Sequence, residues 1–300
     1  MILIDAISQW MEMYKKASVK QATYDRMCTS FTLMEKYEIA AIEISRLSSA
    51  DLQRYINQLV NDGYALTTIK KQFNLISGYL RFAVSEGIVS KPIYTSVKLP
   101  SQALVAKQKK DVVAYTEDEQ TRLKRELSYN GKEGSAIVSF MMETGLRVGE
   151  VLALRWEDIN LPRRSVSIRR TLVRLANSKQ SYVQNSPKSH ASNRIIPLSE
   201  QALLVLSRVP HTSEYVFGKK EHEPFSYEAL RNQVKSICKA SHVNYYGMHV
   251  FRHTFATNCY NKGCDVKLLS KMLGHSSVSV TYNTYIHLYG DALEAMRAIV

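Results

Sequence analysis

The sequence has few cysteines and few helix-breaking residues, and it lacks a long apolar run. Its 300 residues include 4 cysteines, 7 prolines and 12 glycines. Cys28, Cys238, Cys259 and Cys264 form no CxxC pair and have no spacing typical of zinc ligands, so we interpret them as reduced and structural. No stretch approaches the roughly 20 apolar residues that a membrane-spanning helix needs. We therefore expect no membrane partner.

A targeting segment is also missing from the pattern of the first residues. Residues 1–16 carry Asp5 and Glu12 among apolar positions and have no basic segment ahead of an apolar one. With 45% hydrophobic and 22% charged residues, the chain has the composition of a globular protein, which excludes collagen-like and disordered classes. We expect a cytoplasmic protein.

Acidic residues are scarce, above all in the middle of the chain. Lys and Arg number 40 against 27 Asp and Glu, which gives a net charge of +13. No acidic residue lies between Asp158 and Glu200. A solvated surface usually mixes both signs, so this basic stretch favours a phosphate backbone as its neighbour. We predict contacts to a nucleic-acid backbone from Arg163, Arg164, Arg169, Arg170, Arg174, Lys179 and Arg194.

The apolar periodicity predicts a mainly α protein with a small antiparallel β-sheet. Residues 1–91 read as a helical domain, in which Ser48 and Asp51 begin a helix that stops at Gly63 and Thr67 or Thr68 caps the next. Residues 92–113 lose this periodicity, carry two prolines and several lysines, and are predicted to be an interdomain linker.

A second domain is predicted over residues 114–300. Thr116 and Glu119 have the spacing of a capping box, and a further helix, residues 133–143, is closed by Gly145. Residues 164–173 and 181–197 alternate between apolar and polar and indicate the antiparallel sheet. Helical patterns resume at Glu200.

Five short segments of this domain follow one another in a recognisable order. They are Thr144-Gly145-Leu146-Arg147-Val148-Gly149-Glu150, Pro187-Lys188, His249-Val250-Phe251-Arg252-His253, Leu273-Gly274-His275 and Tyr285-Ile286-His287. In this order and at these separations the segments resemble the tyrosine recombinase (phage integrase) family, over nearly the whole chain. The resemblance implies a helical, SAM-like core-binding domain joined to a mixed α+β catalytic domain with a C-terminal exchange segment.

The residue types fit DNA cleavage that uses no metal. The sequence has no DxD-type carboxylate cluster, so arginines would have to stabilise the charge that develops on the phosphate. Arginine suits this task because its planar fork donates two parallel hydrogen bonds and stays ionised. His249 and His253 have HxxxH spacing, but Val250 stands where a zinc hydrolase has its base and a third ligand is missing. We expect no metal and no cofactor.

The resemblance implies a role for each matching residue. Arg147 and Arg252 would clamp the scissile phosphate, Glu150 would brace Arg147, His249 would assist proton transfer and His275 would donate a hydrogen bond to the phosphate. Lys188 would be the general acid, with Lys179 a weaker candidate. Tyr285 would be the nucleophile, with Tyr282 as the alternative, and His253 would be structural.

The resulting hypothesis is a site-specific recombinase or integrase that cuts and rejoins DNA through a 3′-phosphotyrosine. We expect it to integrate or excise a mobile element, with double-stranded recombination sites as partners, a homotetramer on DNA, accessory DNA-bending or excision factors, and association with the nucleoid. The alternatives are a Xer-like dimer resolvase, a type IB topoisomerase and a non-catalytic DNA-binding protein.

Overall fold

The computed structural model describes residues 1–105, 113–174, 181–185, 193–220 and 222–285, without the side chains of 219, 220 and 283–285. These residues divide into two compact units. The first contains the helices of residues 1–105, and the second contains those from Glu117 onward. The predicted class, mainly helical with small antiparallel sheets, is confirmed.

Four α-helices lie among the described residues of the first unit. They are α1 (Leu3–Trp10), which continues into a π-helical turn at Met11–Lys15, α2 (Gln21–Met34), α3 (Ser49–Asn61) and α4 (Leu66–Ser85). Short 3₁₀ turns lie at Glu38–Ala41, Ile44–Arg46, Ile93–Ser96 and Gln102–Leu104. Helix α4 is the longest, yet no helix of the described residues combines the length and the apolar character needed to cross a membrane.

The first unit shows where local sequence determines helix ends and where it does not. Ser48 and Asp51 form the predicted capping box, and Gly63 takes a left-handed conformation after α3, with φ of +74°. The predicted cap at Thr67 or Thr68 is wrong. Helix α4 begins at Leu66 because the N–H of Thr68 already donates to the carbonyl of Ala65, so both threonines lie inside the first turn.

Residues 93–105, which the sequence pattern assigns to a linker, pack against the core of the first unit. Val105 is buried in it, and Ile93, Tyr94, Val97 and Leu99 lie half-buried against it. The cluster they join is centred on side chains of α1, α3 and α4. Apolar contact therefore orders part of a stretch that has no helical periodicity.

The second unit contains eight α-helices among its described residues. They are α5 (Glu117–Tyr129), α6 (Glu133–Thr144), α7 (Val148–Leu152), α8 (Glu200–Ser207), α9 (Tyr227–Ala240), α10 (His249–Asn261), α11 (Val266–Leu273) and α12 (Val278–Tyr285). The predicted capping box of Thr116 and Glu119 starts α5. Helix α6 is buried on several sides and packs against α8, α9 and α10.

Short strands lie between α7 and α9. They are β1 (Ile159–Asn160), β2 (Ser165–Ile168), β3 (Thr171–Arg174), β4 (Ser181–Gln184), β5 (Arg194–Pro197), β6 (Gly218–Lys220) and β7 (Glu223–Pro224). Strands β1, β2 and β5 form an antiparallel sheet in which Ile168 faces Arg194 and Ser165 faces Pro197. Strand β3 pairs with β4, so the predicted sheet is divided into two parts. This register brings Arg194 to one end of the sheet.

Candidate active site

Two tight turns, each built around a left-handed glycine, form the frame of the candidate active site. Gly145 ends α6 with φ of +63°, and Gly274 ends α11 with φ of +66°. A Cβ at position 145 would lie 2.3 Å from the ring of Phe255 on α10. Only glycine combines this conformation with such a close neighbour. The first turn delivers Arg147 to the start of α7, and the second delivers His275.

Gly149, on α7, lets a strand approach the same region. A Cβ at this position would lie 2.6 Å from the carbonyl oxygen of Leu172 in β3. Because Gly149 has no side chain, the backbone of β3 can pack directly against α7. The Gly-x-Arg-x-Gly pattern of the sequence thus has a separate steric reason at each of its glycines.

Arg147 is partly exposed and fixed at two points. Its Nη1 donates to Glu150 Oε1 at 2.8 Å, and its Nη2 donates to the carbonyl of Gly274 at 3.1 Å. The backbone N–H of Arg147 donates to Glu150 Oε2 at 3.0 Å. About a third of the side chain, 35%, remains accessible. The guanidinium is therefore oriented by the protein and still reachable by a ligand.

Glu150 is buried, 5% exposed, and binds a second arginine that reaches it from β5. Arg194 Nη2 donates to Oε2 at 2.8 Å and Nη1 donates to Oε1 at 3.1 Å, while Nε donates to the carbonyl of Met272 at 2.7 Å. Burial alone would raise the pKa of Glu150, but the hydrogen bond and charge of Arg194, with the charge of Arg147, lower that pKa to about 2. Glu150 is therefore an anion at neutral pH.

Arg252 lies on α10 and joins both turns. Its Nη1 donates to the carbonyl of Gly145 at 3.0 Å, and its Nη2 donates to the carbonyl of Leu273 at 2.6 Å. The residue is buried. His249 precedes it by three positions, so both lie on one face of α10. Arg252 thus donates to carbonyls of both turns, whereas Arg147 donates to a carbonyl of the second turn and to Glu150.

Three histidines surround these arginines. Burial, followed by the positive charges of Arg252 and Arg147, lowers the pKa of His275 to about 4. Burial and His249 lower the pKa of His253 to about 4, and burial with the charge of Arg252 also lowers the pKa of His249. Nδ1 of His275 lies 2.6 Å from the hydroxyl of the buried Thr281 on α12. These rings are neutral at pH 7, beside arginines that keep their charge.

The structure brings together five of the predicted site residues, namely Arg147, Glu150, His249, Arg252 and His275. Tyr285 is the last residue of α12, one turn after Thr281, and its side chain lies outside what the structure describes. Lys188 and Lys179 also fall outside the described residues. The sequence did not indicate two contacts at this site, that of Thr281 with His275 and that of Arg194 with Glu150. No local spacing indicates either contact.

The other predicted DNA-contacting arginines have varied surroundings. Arg163 is exposed, and Arg174 ends β3 with its side chain exposed. Arg164 pairs with Glu200 at 3.0 Å, Arg169 with Asp158 at 3.9 Å, and Arg170 with Glu157 and with Asp158, the latter at 2.8 Å. The acidic residues that flank the basic stretch in sequence therefore return to it in the fold.

The part of the chain that the structure describes holds no group of three His, Cys, Asp or Glu side chains placed to share a metal ion. Cys28, Cys238, Cys259 and Cys264 are all free thiols.

Comparison with known proteins identifies the class. Residues 114–291 match the Phage integrase family and residues 2–99 match the Phage integrase SAM-like domain. The chain therefore belongs to the phage integrase family, the tyrosine recombinases. It is a DNA strand-transferring enzyme, and the prediction of site-specific recombination is confirmed.

Relatives in sequence include a XerC-like recombinase and the transposase of a transposon. A "Tyrosine recombinase XerC-like" protein of Caldanaerobacter subterraneus subsp. tengcongensis is 25% identical over 95% of this chain and 78% of its own length. The "Transposase from transposon Tn916" of Enterococcus faecalis is 23% identical over 88% of this chain and 69% of its own length.

Solved structures share the fold. A fragment of the Tn1549 transposon integrase, in complex with a circular intermediate DNA, matches over 100% of this chain and 100% of the fragment, with a TM-score of 0.84 and 17% identity. A lambda integrase tetramer bound to a Holliday junction matches over 94% of this chain and 77% of that one, with a TM-score of 0.67 and 16% identity.

Proposed function

We propose that this protein cleaves DNA with Tyr285 and that Arg147, Arg252 and His275 hold the scissile phosphate. The observation that supports this best is the convergence of these three side chains at two glycine turns. Around the turns the described residues place three guanidinium groups, those of Arg147, Arg194 and Arg252, with the carboxylate of Glu150. The surplus of positive charge suits a phosphate whose negative charge grows in the transition state.

The protonation of His275 supports its role as a hydrogen-bond donor. A neutral imidazole carries one N–H. We propose that the hydroxyl of Thr281 donates to Nδ1, which leaves the proton on Nε2 for a phosphate oxygen. The bound phosphate would raise the pKa of His275 again because it brings an opposite charge. His249, one turn from Arg252, would assist proton transfer at the tyrosine.

In the proposed chemistry a phosphodiester is exchanged for a phosphotyrosine ester and then for a new phosphodiester, so the bond energy is conserved. The hydroxyl of Tyr285 gives its proton to the neutral His249 as its oxygen attacks phosphorus, the bond from phosphorus to the 5′-oxygen breaks, and Lys188 gives its proton to that oxygen. A 3′-phosphotyrosine and a 5′-hydroxyl result. The 5′-hydroxyl of another duplex then attacks the phosphotyrosine and releases Tyr285. The arginines lower the barrier in both directions because they bind the same phosphorane-like transition state.

We propose double-stranded recombination sites as the partner and a tetramer as the acting assembly. The lambda integrase tetramer bound to a Holliday junction supports this, because that protein shares the fold. In this proposal residues 1–91 bind DNA as a core-binding domain, residues 92–113 are a linker and residues 114–300 catalyse exchange. Arg163, Arg164, Arg169, Arg174 and Lys179 would contact the DNA backbone, and Arg170, which pairs with Glu157 and Asp158, would contribute less.

For the biological role we propose integration or excision of a mobile element, with Xer-like dimer resolution as the second candidate. The Tn916 relative favours the first role and the XerC-like relative favours the second. Covalent capture separates them. Wild-type protein is incubated with genomic DNA, adducts are isolated, and the attached DNA is sequenced. Adducts at the ends of an integrated element support the first role, and adducts at a single chromosomal site without such an element support the second.

A nicked duplex of the captured sequence then tests the nucleophile. The nick lets a short strand with the 5′-hydroxyl diffuse away, so the adduct accumulates. We expect a covalent adduct with wild-type protein and with Tyr282→Phe, and none with Tyr285→Phe. An adduct with Tyr285→Phe would contradict the assignment. Relaxation of arbitrary supercoiled plasmid as fast as cleavage of the captured site would instead indicate a topoisomerase.

A further inference from the structure

Arg194 was predicted from sequence to contact the DNA backbone, but its position suggests a different role. We propose that Arg194 is a positioning residue that holds the phosphate-binding groups in place through Glu150 and the turn at residues 272–275. The inference rests on the proposed function, because it assigns Arg147 and His275 to the phosphate.

The burial of Arg194 argues against contact with DNA. Its side chain is 6% exposed, against 62% for Arg164 and 60% for Arg169 of the same stretch. The Nε, Nη1 and Nη2 atoms all donate to protein acceptors. A backbone phosphate could replace these partners only by breaking a buried ion pair, which leaves Glu150 as an uncompensated charge.

The carboxylate of Glu150 needs Arg194 to keep one orientation. Oε1 accepts from the guanidinium groups of Arg147 and Arg194, and Oε2 accepts from Arg194 and from the backbone N–H of Arg147. These four hydrogen bonds use the full acceptor capacity of a carboxylate. Without Arg194 two of them are lost, and the carboxylate can turn away from the geometry in which it braces Arg147.

Arg194 also supports the second turn directly. Its Nε donates to the carbonyl of Met272, and a Cβ at Gly274 would lie 2.8 Å from its Nη1. Gly274 in turn accepts a hydrogen bond from Arg147 and precedes His275. One side chain from β5 therefore touches both elements that present the phosphate-binding groups. Lysine could not reproduce this, because it has a single nitrogen and no planar fork.

Four variants and a control test the proposal. Arg194→Gln removes the charge and the fork, Arg194→Lys keeps the charge only, Glu150→Gln removes the partner, and the double variant removes both. Arg155→Gln is the matched control, because Arg155 also forms a partly buried ion pair in this unit, with Glu214 at 3.0 Å. Thermal unfolding of each variant shows whether it is folded at the assay temperature.

The first measurement is the affinity for the intact captured duplex as a function of salt. We expect Arg194→Gln to keep the wild-type slope of log K against log salt. Loss of one backbone contact would instead reduce the slope by about 0.9. A reduction of that size in Arg194→Gln, absent from Arg155→Gln, overturns the proposal in favour of a DNA contact.

The second measurement is the rate of adduct formation on the nicked duplex at saturating protein. We expect Arg194→Gln to be slowed about 100-fold, as for loss of one preorganised donor to a transition state, with Arg194→Lys in between. The double variant should be no slower than the slower single variant, because both changes act through one carboxylate. A cleavage rate equal to that of Arg155→Gln, or strictly additive losses, overturns the proposal.

The two proposals can fail separately. If wild-type protein forms no adduct with captured or nicked DNA, the proposed function fails, and the salt slope still decides whether Arg194 contacts DNA. If Arg194→Gln does not fold, Arg194→Lys and the double variant supply the comparison. Neutralising both members of a buried ion pair destabilises the protein less than removing one member does. Wild-type rates in both of these would overturn the positioning role.

Discussion

Charge at single residues is set by the arginines that meet at the two glycine turns. Burial, followed by the charges of Arg252 and Arg147, lowers the pKa of His275 to about 4, and Arg194 and Arg147 lower the pKa of Glu150 to about 2 against the effect of burial. At neutral pH the site therefore combines cationic arginines, an anionic Glu150 and neutral histidines. Protonation of a histidine would add a further positive charge to an already positive cluster.

The free protein should lose stability in mild acid. An unfolded chain keeps a histidine pKa near 6.5, whereas the folded protein protonates His275 and His253 near pH 4. Between these values the unfolded state holds more protons, so the free energy of unfolding falls as the pH falls. We expect a loss of roughly 1 kcal/mol for each histidine between pH 7.5 and 5, allowing for solvent that reaches the rings.

Urea unfolding at both pH values measures this loss. The double variant His275→Gln with His253→Gln should show a smaller difference between pH 7.5 and 5 than wild type. His222→Gln, in which an 80% exposed side chain is removed, serves as the control and should behave as wild type. An unchanged pH dependence in the double variant would contradict the assignment. Glu150 contributes its own loss only below about pH 4.5, its unfolded value.

Gly274→Ala should impair cleavage more than its backbone strain explains. The alanine would have to keep the left-handed backbone conformation of Gly274, and its Cβ would lie 2.8 Å from Arg194 Nη1. Gly263→Ala is the matched control, with φ of +80° and nothing within 4 Å of the new Cβ. Both variants should lose about 1–2 kcal/mol of stability. Only Gly274→Ala should slow adduct formation at saturating protein, and equal rates for the two would contradict this.

At the scale of helices and strands, the features that sequence predicts are those formed by neighbours in the chain. The boxes of Ser48 with Asp51 and of Thr116 with Glu119, and the stop at Gly145, each depend on residues within one turn. The start of α4 is not predicted, because an extended Ala65 can begin a helix without a polar cap. Local patterns offered no way to choose between Ala65 and the threonines after it.

Thr116→Ala should destabilise α5 without affecting chemistry. The hydroxyl of Thr116 accepts from the N–H of Glu119 at 3.2 Å, and the Glu119 carboxylate accepts the N–H of Thr116 at 2.9 Å. Loss of such a cap costs about 1 kcal/mol. Thr121→Ala, which removes a mid-helix hydroxyl bonded to the Glu117 carbonyl, should cost less. Chemical denaturation ranks the two; equal stability would show that the cap contributes nothing.

Contacts between distant parts of the sequence are what the sequence could not predict. Glu150 and Arg194 lie 44 residues apart, and Arg194 reaches the site only because β5 pairs with β2 in a particular register. Arg164 and Arg170 likewise pair with carboxylates from outside the acid-free stretch, those of Glu200 and Asp158. The proposed roles of Arg147, Arg252 and His275 come from the resemblance to a family, and the structure shows which residues lie beside them.

For the whole molecule, the net charge of +13 does not show which arginines lie beside a carboxylate. Arg170 is 16% exposed and pairs with Glu157 and Asp158, and Arg194 is buried with Glu150. Arg163 is exposed. Its charge is therefore more available to a polyanion than that of Arg170 or Arg194.

Arg163→Gln should weaken DNA binding more than Arg170→Gln does. A lost backbone contact reduces the slope of log K against log salt by about 0.9, whereas removing a charge that is already compensated changes the slope less. Titration of the captured duplex at several salt concentrations measures both slopes. A larger decrease for Arg170→Gln would show that DNA displaces its carboxylate partners.

The acceptors that hold the arginines have a consequence for evolutionary change. Gly145, Met272, Leu273 and Gly274 bind guanidinium groups through main-chain carbonyls. Every residue has a main-chain carbonyl. Met272 and Leu273 can therefore be replaced by other residues that suit the packing of α11 while the hydrogen bonds to the arginines are retained. The apolar side chains can then change while the active site keeps its geometry, provided that the arginines and the two glycines are kept.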